Sequence, residues 1–397
     1  MNETKQNPLK PSVDSDLLSL NGSGQFIYPR YQGESILNIL PSIANSFGLP
    51  DFQHTLLKQD LLSPLQGEPQ NIILVLLDAL AYHRLENWLS EDEDLGWHQL
   101  RDQGVFAPLT SICPSTTCAA ITSYWTDSAA YEHGVMGYEM WLKEYGITAN
   151  MIEHKPITYR SRGGGLDLAG FDPENFLPVN SIVDRFLDHD VEAHAFQHFA
   201  IINSGLSQMF MGGAERHPIA TSADLWISIR ELLEAKPRTR KYIWSYWGQL
   251  DGTSHLHGPD SERARAEFIS FSKAFQDQFL EKLDPDLKQN TMVILTADHG
   301  QITTDPTADK YDFDAADELL TVWAERKGDV QAVKEVNDKD RKQQRKAATT
   351  GGKGSGEPIS RKIYRRSDIV NLMMNDPDRY KANVEEFDRA YAEGRVK

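Results

Sequence analysis

The stretch NIILVLLDAL, residues 71–80, decides the fold that the sequence predicts. Six consecutive apolar residues precede Asp78, and an unbroken apolar run of this length is typical of a strand buried on both faces of a parallel sheet. The runs YIWSYW, residues 242–247, and TMVILTA, residues 291–297, have the same character. We therefore predict three buried parallel strands, the first at 71–77, each followed within a few residues by an acidic side chain.

Helical patterns accompany these strands. Residues 79–89 are helix-like, and residues 261–283 carry four phenylalanines at helical spacing, which is most simply explained by a buried core face. Strands that alternate with helices indicate an α/β layer fold, in which binding groups gather beyond the carboxyl ends of the strands. Asp78, Asp251 and Asp298 fall at such positions, so we expect them to lie close together.

Charge and composition exclude several classes of partner. The chain has 397 residues, of which 58 are acidic and 41 are basic, and its formal net charge is -17. A surface of this charge repels nucleic-acid polymers and anionic membranes, so we predict neither as a partner. A small anionic substrate would need locally concentrated positive charge, which bound metal ions supply.

The cysteine content and the hydropathy pattern favour a cytoplasmic protein. Cys113 and Cys118 are the only cysteines, and they are too few and too close for the disulfide framework of a small secreted domain. The sequence contains no apolar run of roughly 18 residues, and its first residues lack the apolar core of a secretion signal. We therefore expect a cytoplasmic location, with the oligomeric state left open.

Changes in composition predict three segments. Residues 1–330 are predicted to form one α/β domain that carries the active site, with a less regular covering insertion at about 137–241 and a strand at 192–197. Residues 331–358 are polar, charged and almost free of large apolar groups, which is typical of a flexible connector. Residues 359–397 are predicted to form a charged, weakly helical tail.

A hydroxyl-rich motif and Asp78 each stand just before a predicted helix. In TSICPSTTCAAITSYWTD, residues 110–127, a Pro-Ser-Thr-Thr group precedes a helix-compatible stretch. Ser115, Thr116 or Asp78 could simply cap a helix. The functional alternative is a hydroxyl nucleophile at a helix N-terminus, which favours phosphoryl anions. A threonine hydroxyl needs activation by a metal ion, so nucleophile and metal ligands must occur together.

A second motif places a histidine close to a strand-end acid. In WGQLDGTSHLHGPD, residues 247–260, Asp251 and His255 are four residues apart. A helical backbone would put both side chains on one face, where they could bind one ion. A surface pair is the alternative interpretation, and His257 is a possible substitute ligand.

A third motif ends a predicted strand with two polar side chains. In TMVILTADHGQI, residues 291–302, Asp298 and His299 are adjacent. Neighbouring side chains on a strand point to opposite faces, so both can meet one ion only where the backbone turns, which Gly300 permits. Strand-end acids with two histidines make a set of oxygen and imidazole ligands suited to Zn²⁺ or Mn²⁺.

Taken together, the motifs resemble the type I phosphodiesterase and nucleotide pyrophosphatase family of the alkaline phosphatase superfamily, from about Asn71 to Ile302. In that family the nucleophile lies in a stretch of the kind tyrosine-proline-threonine-x-threonine, with a histidine-glycine pair downstream. CPSTTCAAITSYWTDSAAYEHGV fits without a gap and places Thr117 at the nucleophile. The other matched positions are His133 and Gly134 for the pair, Asp251, His255, Gly258 and Pro259 for D-x-x-x-H-x-x-G-P, and Asp298, His299 and Gly300 for DHG.

The resemblance implies a fold and an activity. The fold would be alkaline phosphatase-like, with a central, mostly parallel sheet flanked by helices. The activity would be metal-dependent hydrolysis of a small phosphoester, with a phosphodiester favoured, in which Thr117 attacks phosphorus beside two divalent ions, zinc or alternatively manganese. The implied ligands are Asp78, Thr117, Asp298 and His299 for one ion, and Asp251, His255 and a later histidine for the other.

Two positions depart from the family pattern. Nucleotide-cleaving members usually carry an asparagine three positions after the nucleophile, and here that position is Ala120, which counts against nucleotide specificity. No histidine follows His299 in this sequence, so the second ion lacks its expected third protein ligand, for which His257 and Asp260 are candidates. The alternative function is therefore a catalytically impaired member that binds a phosphorylated ligand or a partner.

A sulfatase is the nearest rival on the same architecture. Those enzymes need a cysteine or serine followed, at fixed spacing, by proline and then arginine. Cys113 is followed directly by Pro114, and no arginine occurs until well beyond it. The motif therefore does not favour a sulfatase.

Overall fold

The computed structural model divides the chain into two compact units, Met1–Asp305 and Pro306–Lys397. The predicted boundary after residue 330 and the predicted connector at 331–358 lie outside the described residues. The predicted tail at 359–397 is described at only five positions, four of them helical. The structure describes residues 27–50, 52–62, 68–158 and 165–304, together with residues 383, 386, 387, 389 and 390.

The first unit is built on a five-stranded sheet in which every pairing is parallel. The three predicted buried strands are confirmed as three neighbouring strands of this sheet, and the strand predicted at 192–197 is confirmed beside them. In spatial order the strands are β6 (Glu215–Ile219), β5 (Val191–His198), β7 (Arg240–Trp247), β1 (Asn71–Leu77) and β8 (Thr291–Thr296). The carboxyl ends of all five strands therefore lie at one edge of the sheet.

Hydrophobic clusters cover both faces of the sheet, which explains why β1 is apolar without interruption. Ile72 and Leu74 pack into one cluster, whereas Ile73 and Val75 pack into the other, as the alternation of side chains along a strand requires. Every residue of β1 is buried. This two-sided burial is typical of the central strands of α/β proteins.

Helices connect the strands and complete the two faces, so the predicted α/β class is confirmed. None of the described helices combines the length and the apolar character that a bilayer crossing requires. The α-helices are α1 (Ile39–Ser46), α2 (Gln59–Leu62), α3 (Tyr82–Glu91), α4 (Trp97–Gln103), α5 (Thr117–Thr126), α6 (Ala130–His133), α7 (Ile182–Asp188), α8 (Gly205–Phe210), α9 (Ser222–Ala235), α10 (Gln249–His257), α11 (Glu262–Phe275) and α12 (Pro285–Gln289). Short 3₁₀ turns lie at Ile36–Asn38, Asp167–Ala169 and Pro173–Asn175.

A second, smaller sheet lies within the segment predicted to be an insertion. It is antiparallel and consists of β2 (Glu139–Leu142), β3 (Ile147–Asn150) and β4 (Lys155–Pro156). The rest of the predicted insertion at 137–241 supplies β5 and β6 to the main sheet. The predicted insertion is therefore too broad, because its second half is part of the central α/β layer.

Two helical predictions differ locally from the structure. The helix predicted at 79–89 begins only at Tyr82, because Ala79 adopts a left-handed backbone with φ of 62° and turns the chain away from β1. The helix predicted at 261–283 is α-helical over α11 and then continues as a π-helical turn at Gln276–Leu280. The phenylalanines of this segment are buried, as predicted.

Candidate active site

The end of β1 places Asp78 and a sharp turn at the carboxyl edge of the sheet. Asp78 is 2% exposed, and its N–H donates to the carbonyl of Trp247 at the end of β7. The next residue, Ala79, donates its N–H to Asp298 Oδ1 at 3.1 Å. Because a residue after β1 bonds to a side chain after β8, the two strand ends hold each other in place, and Asp78 does not cap α3, whose N-cap is Ala81.

The end of β8 brings Asp298 and His299 into the same site. Asp298 Oδ1 also accepts the N–H of His299 at 2.9 Å, while the Asp298 carbonyl accepts the hydroxyl of Ser111. His299 Nδ1 lies 3.0 Å from the carbonyl of Gly300, which can only accept, so Nδ1 carries the proton. The lone pair of the neutral ring is therefore on Nε2, the atom that faces the neighbouring acids.

The hydroxyl of Thr117 lies against that nitrogen. Thr117 is the first residue of α5, and its Oγ1 is 3.1 Å from His299 Nε2. The same nitrogen is 3.5 Å from Asp78 Oδ1 and 3.5 Å from Asp298 Oδ2. Thr116 is the N-cap of α5 but makes no side-chain capping bond, so the hydroxyl-rich motif is not explained by capping. The structure thus brings together four residues from three distant parts of the sequence.

Helix α10 contributes Asp251 and His255, which lie on one face as a helical spacing requires. His255 Nε2 is 3.4 Å from Asp251 Oδ1, although the His255 side chain is 72% exposed. Ligand atoms of Asp78, Asp251 and His299 all lie within 4.8 Å of one another. The six residues predicted as ligands therefore form one continuous group, with His255 at its outer side.

Burial and nearby acidic charges disfavour the charged forms of the Asp78 and Asp251 carboxylates. Burial raises the pKa of Asp78 well above its usual value, and the nearby charges of Asp298 and then Asp251 raise it further. Burial also raises the pKa of Asp251. Within the described part of the chain, Asp78 Oδ1 and Asp298 Oδ2 are buried and have no hydrogen-bond partner. Paired acids with orphaned oxygens around a histidine nitrogen fit divalent metal ions, because the ions would satisfy both oxygens.

Comparison with known proteins identifies the family. Residues 72–371 match the model of the type I phosphodiesterase / nucleotide pyrophosphatase family. The chain belongs to this family. The match extends beyond Ile302, where the recognisable motifs end, and spans the predicted connector at 331–358. No curated protein sequence gives a significant match.

The chain also matches parts of several solved structures. A phosphonoacetate hydrolase from Sinorhizobium meliloti, in complex with phosphonoacetate, is 14% identical over 60% of this chain and 59% of its own, with a TM-score of 0.41. Murine ectonucleotide pyrophosphatase / phosphodiesterase 5 is 15% identical over 59% and 58%, also with a TM-score of 0.41. The chain thus spans less than two thirds of the length of either relative. An alkaline phosphatase, TAB5, is 11% identical with a TM-score of 0.28 over 62% of this chain and 85% of its own.

Two polar groups of the site carry no local signal in the sequence. The Tyr246 hydroxyl donates to Asp78 Oδ2, and the Gln301 side-chain amide donates to Asp251 Oδ1 at 2.5 Å. Both contacts depend on strand register and on the turn after β8, which motif spacing does not reveal. Gln301 carries an amide oxygen as well as a donor, so the side chain beside Asp251 offers a further oxygen.

The two proposed substitutes for the missing histidine differ in their surroundings. Asp260 is held by Arg84, whose Nη2 is 3.2 Å from Asp260 Oδ1, and by the hydroxyl of Thr303 at 2.6 Å from Oδ2. These contacts lower the pKa of Asp260 and occupy both of its oxygens. His257 is an exposed residue at the end of α10. Asp260 is thus engaged elsewhere, and nothing in the geometry favours His257.

His133, matched to the family's histidine-glycine pair, has a structural environment. Its Nδ1 accepts the N–H of Val135 at 3.1 Å, and its Nε2 is 3.1 Å from the hydroxyl of Ser123. Gly134 follows with φ of 79° and ends α6. The pair therefore ends helix α6 and contacts α5 through Ser123, and it does not line the acidic site.

Neither cysteine is activated as a nucleophile. Burial raises the pKa of the Cys113 thiol, and burial together with the charges of Asp78 and Asp298 raises the pKa of Cys118 to about 12. A reactive cysteine needs the opposite shift, because the thiolate is the attacking form. This observation agrees with the motif mismatch that argued against a sulfatase.

A cavity opens beside Thr117. Its volume is about 220 Å³, and it continues from the acidic site toward the segment after β5. Apolar side chains form much of its wall, and a few polar groups converge on it. Its lining residues are Thr117, Ile121, Ile152, Gln197, His198, Ile201, Ser204, Leu206, Ser207, Phe210, Tyr246, Trp247, Gly248 and Gln249.

Proposed function

We propose that this chain hydrolyses phosphoesters, with a phosphodiester as the favoured substrate, and that Thr117 is the nucleophile. One observation carries the proposal: the Thr117 hydroxyl, at the start of α5, lies 3.1 Å from His299 Nε2 within a group of buried acids. A threonine that only begins a helix would not need a histidine nitrogen and buried carboxylates around its hydroxyl. The family match supports hydrolysis over the alternative of a protein that only binds a phosphorylated ligand.

The residues present fit two divalent ions. One ion would be held by Asp78, Thr117, Asp298 and His299. The other would be held by Asp251 and His255, and Gln301 lies in contact with Asp251. This set of carboxylate and imidazole ligands suits zinc, with manganese as the alternative. When bound, such ions neutralise the facing carboxylates and stabilise negative charge on the attacking and leaving oxygens.

The chain's own groups explain the position of the reaction. The Thr117 oxygen, once it has lost its proton, forms a bond to phosphorus while the bond from phosphorus to the leaving oxygen breaks and that oxygen takes up a proton. Water then attacks phosphorus, the bond from phosphorus to Thr117 breaks, and the threonine oxygen regains a proton. The N-cap residue Thr116 makes no side-chain bond to the first turn of α5, and the N-terminus of a helix favours the negatively charged oxygens of a phosphoryl group. His299 is held in one tautomer by Gly300, so its Nε2 is preorganised toward the threonine.

The cavity beside Thr117 suggests which organic group the ester carries. At about 220 Å³ it is smaller than typical sites for drug-sized ligands, which span roughly 300–1,000 Å³. Ile121, Ile201 and Phe210 give it an apolar character. Together with Ala120 in place of asparagine, this favours a small apolar substituent over a nucleotide. The small phosphoester partner, the absence of nucleic-acid and membrane partners, and the cytoplasmic location remain predictions.

The proposal is tested by three variants of neighbouring hydroxyl residues, assayed on an aryl phosphodiester with added zinc or manganese. Thr117→Ala should lower kcat by more than about 10³-fold, because the nucleophile is lost. Thr117→Ser should retain part of the activity, and Thr116→Ala, one residue away, should remain near normal. Near-normal turnover by Thr117→Ala would overturn the assignment. A wild-type protein that binds phosphoesters without turning them over would support the binding-only alternative instead.

A further inference from the structure

A cluster of two histidines and a glutamate lies at the far edge of the main sheet. His194 is on β5, and Glu215 and His217 are on the edge strand β6. The parallel register pairs His194 directly with Glu215, and His217 is the next residue of β6 on the same face. Strand pairing therefore brings His194 to Glu215 and His217, which are already neighbours on one face of β6.

The spacing of their ligand atoms is that of a metal site. His194 Nδ1 is 3.0 Å from His217 Nε2 and 3.5 Å from Glu215 Oε2, and His217 Nε2 is 3.9 Å from Glu215 Oε1. Zinc with ligands at about 2.0–2.1 Å in a tetrahedron separates its ligand atoms by roughly 3.3 Å. The three separations, two of which run to different oxygens of Glu215, lie on both sides of this value, so one ion could contact all three groups after small side-chain movements.

An outer carboxylate orients the buried histidine for this role. His194 Nε2 is 3.2 Å from Glu192 Oε2, and Glu192 is held in turn by Lys236. Because a carboxylate accepts, Nε2 carries the proton and the neutral ring presents its lone pair on Nδ1 toward the cluster. A carboxylate behind a ligating histidine is the arrangement found around protein-bound zinc.

The remaining features allow an ion to enter and to be retained. The His194 side chain is 1% exposed, whereas that of Glu215 is 58% exposed, so the cluster has a buried inner side and an open outer side. The ring of His217 stacks on Phe196 with centroids 4.3 Å apart, which fixes its orientation. Three protein ligands with an open fourth position are a recurrent zinc arrangement.

We propose that His194, Glu215 and His217 bind one zinc ion, or a similar first-row divalent ion, at a site separate from the group around Thr117. The two share no residue. His194 also lies four residues before the end of β5, roughly 13 Å along the strand from the carboxyl edge. The ion would tie the edge strand β6 to β5, and its binding free energy would add to folding stability. The competing explanation is a plain hydrogen bond between the two imidazoles, which has the same 3.0 Å separation.

Zinc stoichiometry in the full chain separates the two explanations. We would measure bound zinc by equilibrium dialysis for the wild type, His217→Ala and Glu215→Gln, with His98→Ala as a control histidine outside both groups. We expect His217→Ala to bind one zinc fewer than the wild type, and Glu215→Gln to bind that zinc at least about tenfold more weakly. His98→Ala should match the wild type, and aryl phosphodiester turnover should be unchanged in all of them.

A second variant keeps the result independent of the proposed hydrolysis. His299→Ala should weaken zinc binding at the Thr117 group while leaving the equivalent that depends on His217. Because Glu215 is exposed, Glu215→Gln should fold even if His217→Ala does not. Equal zinc stoichiometry and affinity in the wild type, His217→Ala and Glu215→Gln would overturn the proposal and leave the imidazole hydrogen bond as the explanation.

Discussion

The hydroxyl of Tyr246 offers a direct test of how the buried acids are organised. It donates to Asp78 Oδ2, while Asp78 Oδ1 has no hydrogen-bond partner among the described residues. Tyr246→Phe removes that donor and leaves both oxygens of a buried carboxylate unsatisfied. The change in shape is one atom, so the effect should come from the lost hydrogen bond and not from repacking.

The lost hydrogen bond should lower both the free energy of unfolding and the affinity for zinc. An unsatisfied buried acceptor costs about 1–3 kcal/mol, so the free energy of unfolding of the metal-free protein should fall by that amount. Loss of a group that orients a metal ligand typically weakens metal binding by about 10–100-fold. For zinc this corresponds to roughly 1.4–2.7 kcal/mol of binding free energy.

The assay combines urea denaturation of the metal-free protein with zinc affinity measured by chelator competition. Tyr242→Phe on the same strand is the matched control, because the Tyr242 hydroxyl is also buried but has no hydrogen-bond partner within the described residues. It should lose neither stability nor zinc affinity. If Tyr246→Phe lost stability but kept a zinc affinity within about threefold of the wild type, Asp78 would not be a ligand that depends on Tyr246.

Two other predictions concern the buried histidines and the cavity. Burial lowers the pKa of His133 and of His154 to about 4, below the ordinary 6.5, so as pH falls the unfolded state binds protons before the folded state does. The free energy of unfolding should therefore drop by about 2 kcal/mol per histidine between pH 7 and 5. If urea melts of a His154→Gln variant showed the same pH dependence as those of the wild type, this prediction would be wrong. Ile201→Trp should fill the cavity beside Thr117 and raise the KM for an aryl phosphodiester by about tenfold or more, while the KM for a methyl phosphodiester stays unchanged. An equal rise in KM for both substrates would show that the organic group binds elsewhere.

The sequence predicted the part of the fold that depends on local pattern. The apolar run at 71–77 coincides with β1, and the predicted strand at 291–297 ends within one residue of β8. A strand that is buried on both faces is apolar at nearly every residue, so composition alone reveals it. β6 was missed because ERHPI is short, polar and contains a proline, as an edge strand permits.

The sequence also proposed the members of the candidate site, because most of them lie just after a strand or at the start of a helix, and His255 follows Asp251 at helical spacing. Parallel strands bring their carboxyl ends to one edge, so residues after different strands converge whatever their separation in the chain. That rule was sufficient to group Asp78, Asp251 and Asp298, whereas Thr117 was added because a threonine nucleophile needs a metal ion nearby and because the motif resembles that of the family. Their roles as ligands and nucleophile remain predictions that metal analysis and the Thr117 variants would test.

The contacts between elements were decided by tertiary structure alone. Tyr246 meets Asp78 from 168 residues away, and His194 meets Glu215 only through the register of two parallel strands. A shift of one residue in either register would turn these side chains to the opposite face. Periodicity is a local property of the chain, whereas register is fixed by the packing of both faces of the sheet. For that reason the sequence determined where the strands end, and only the folded structure determined which side chains meet there.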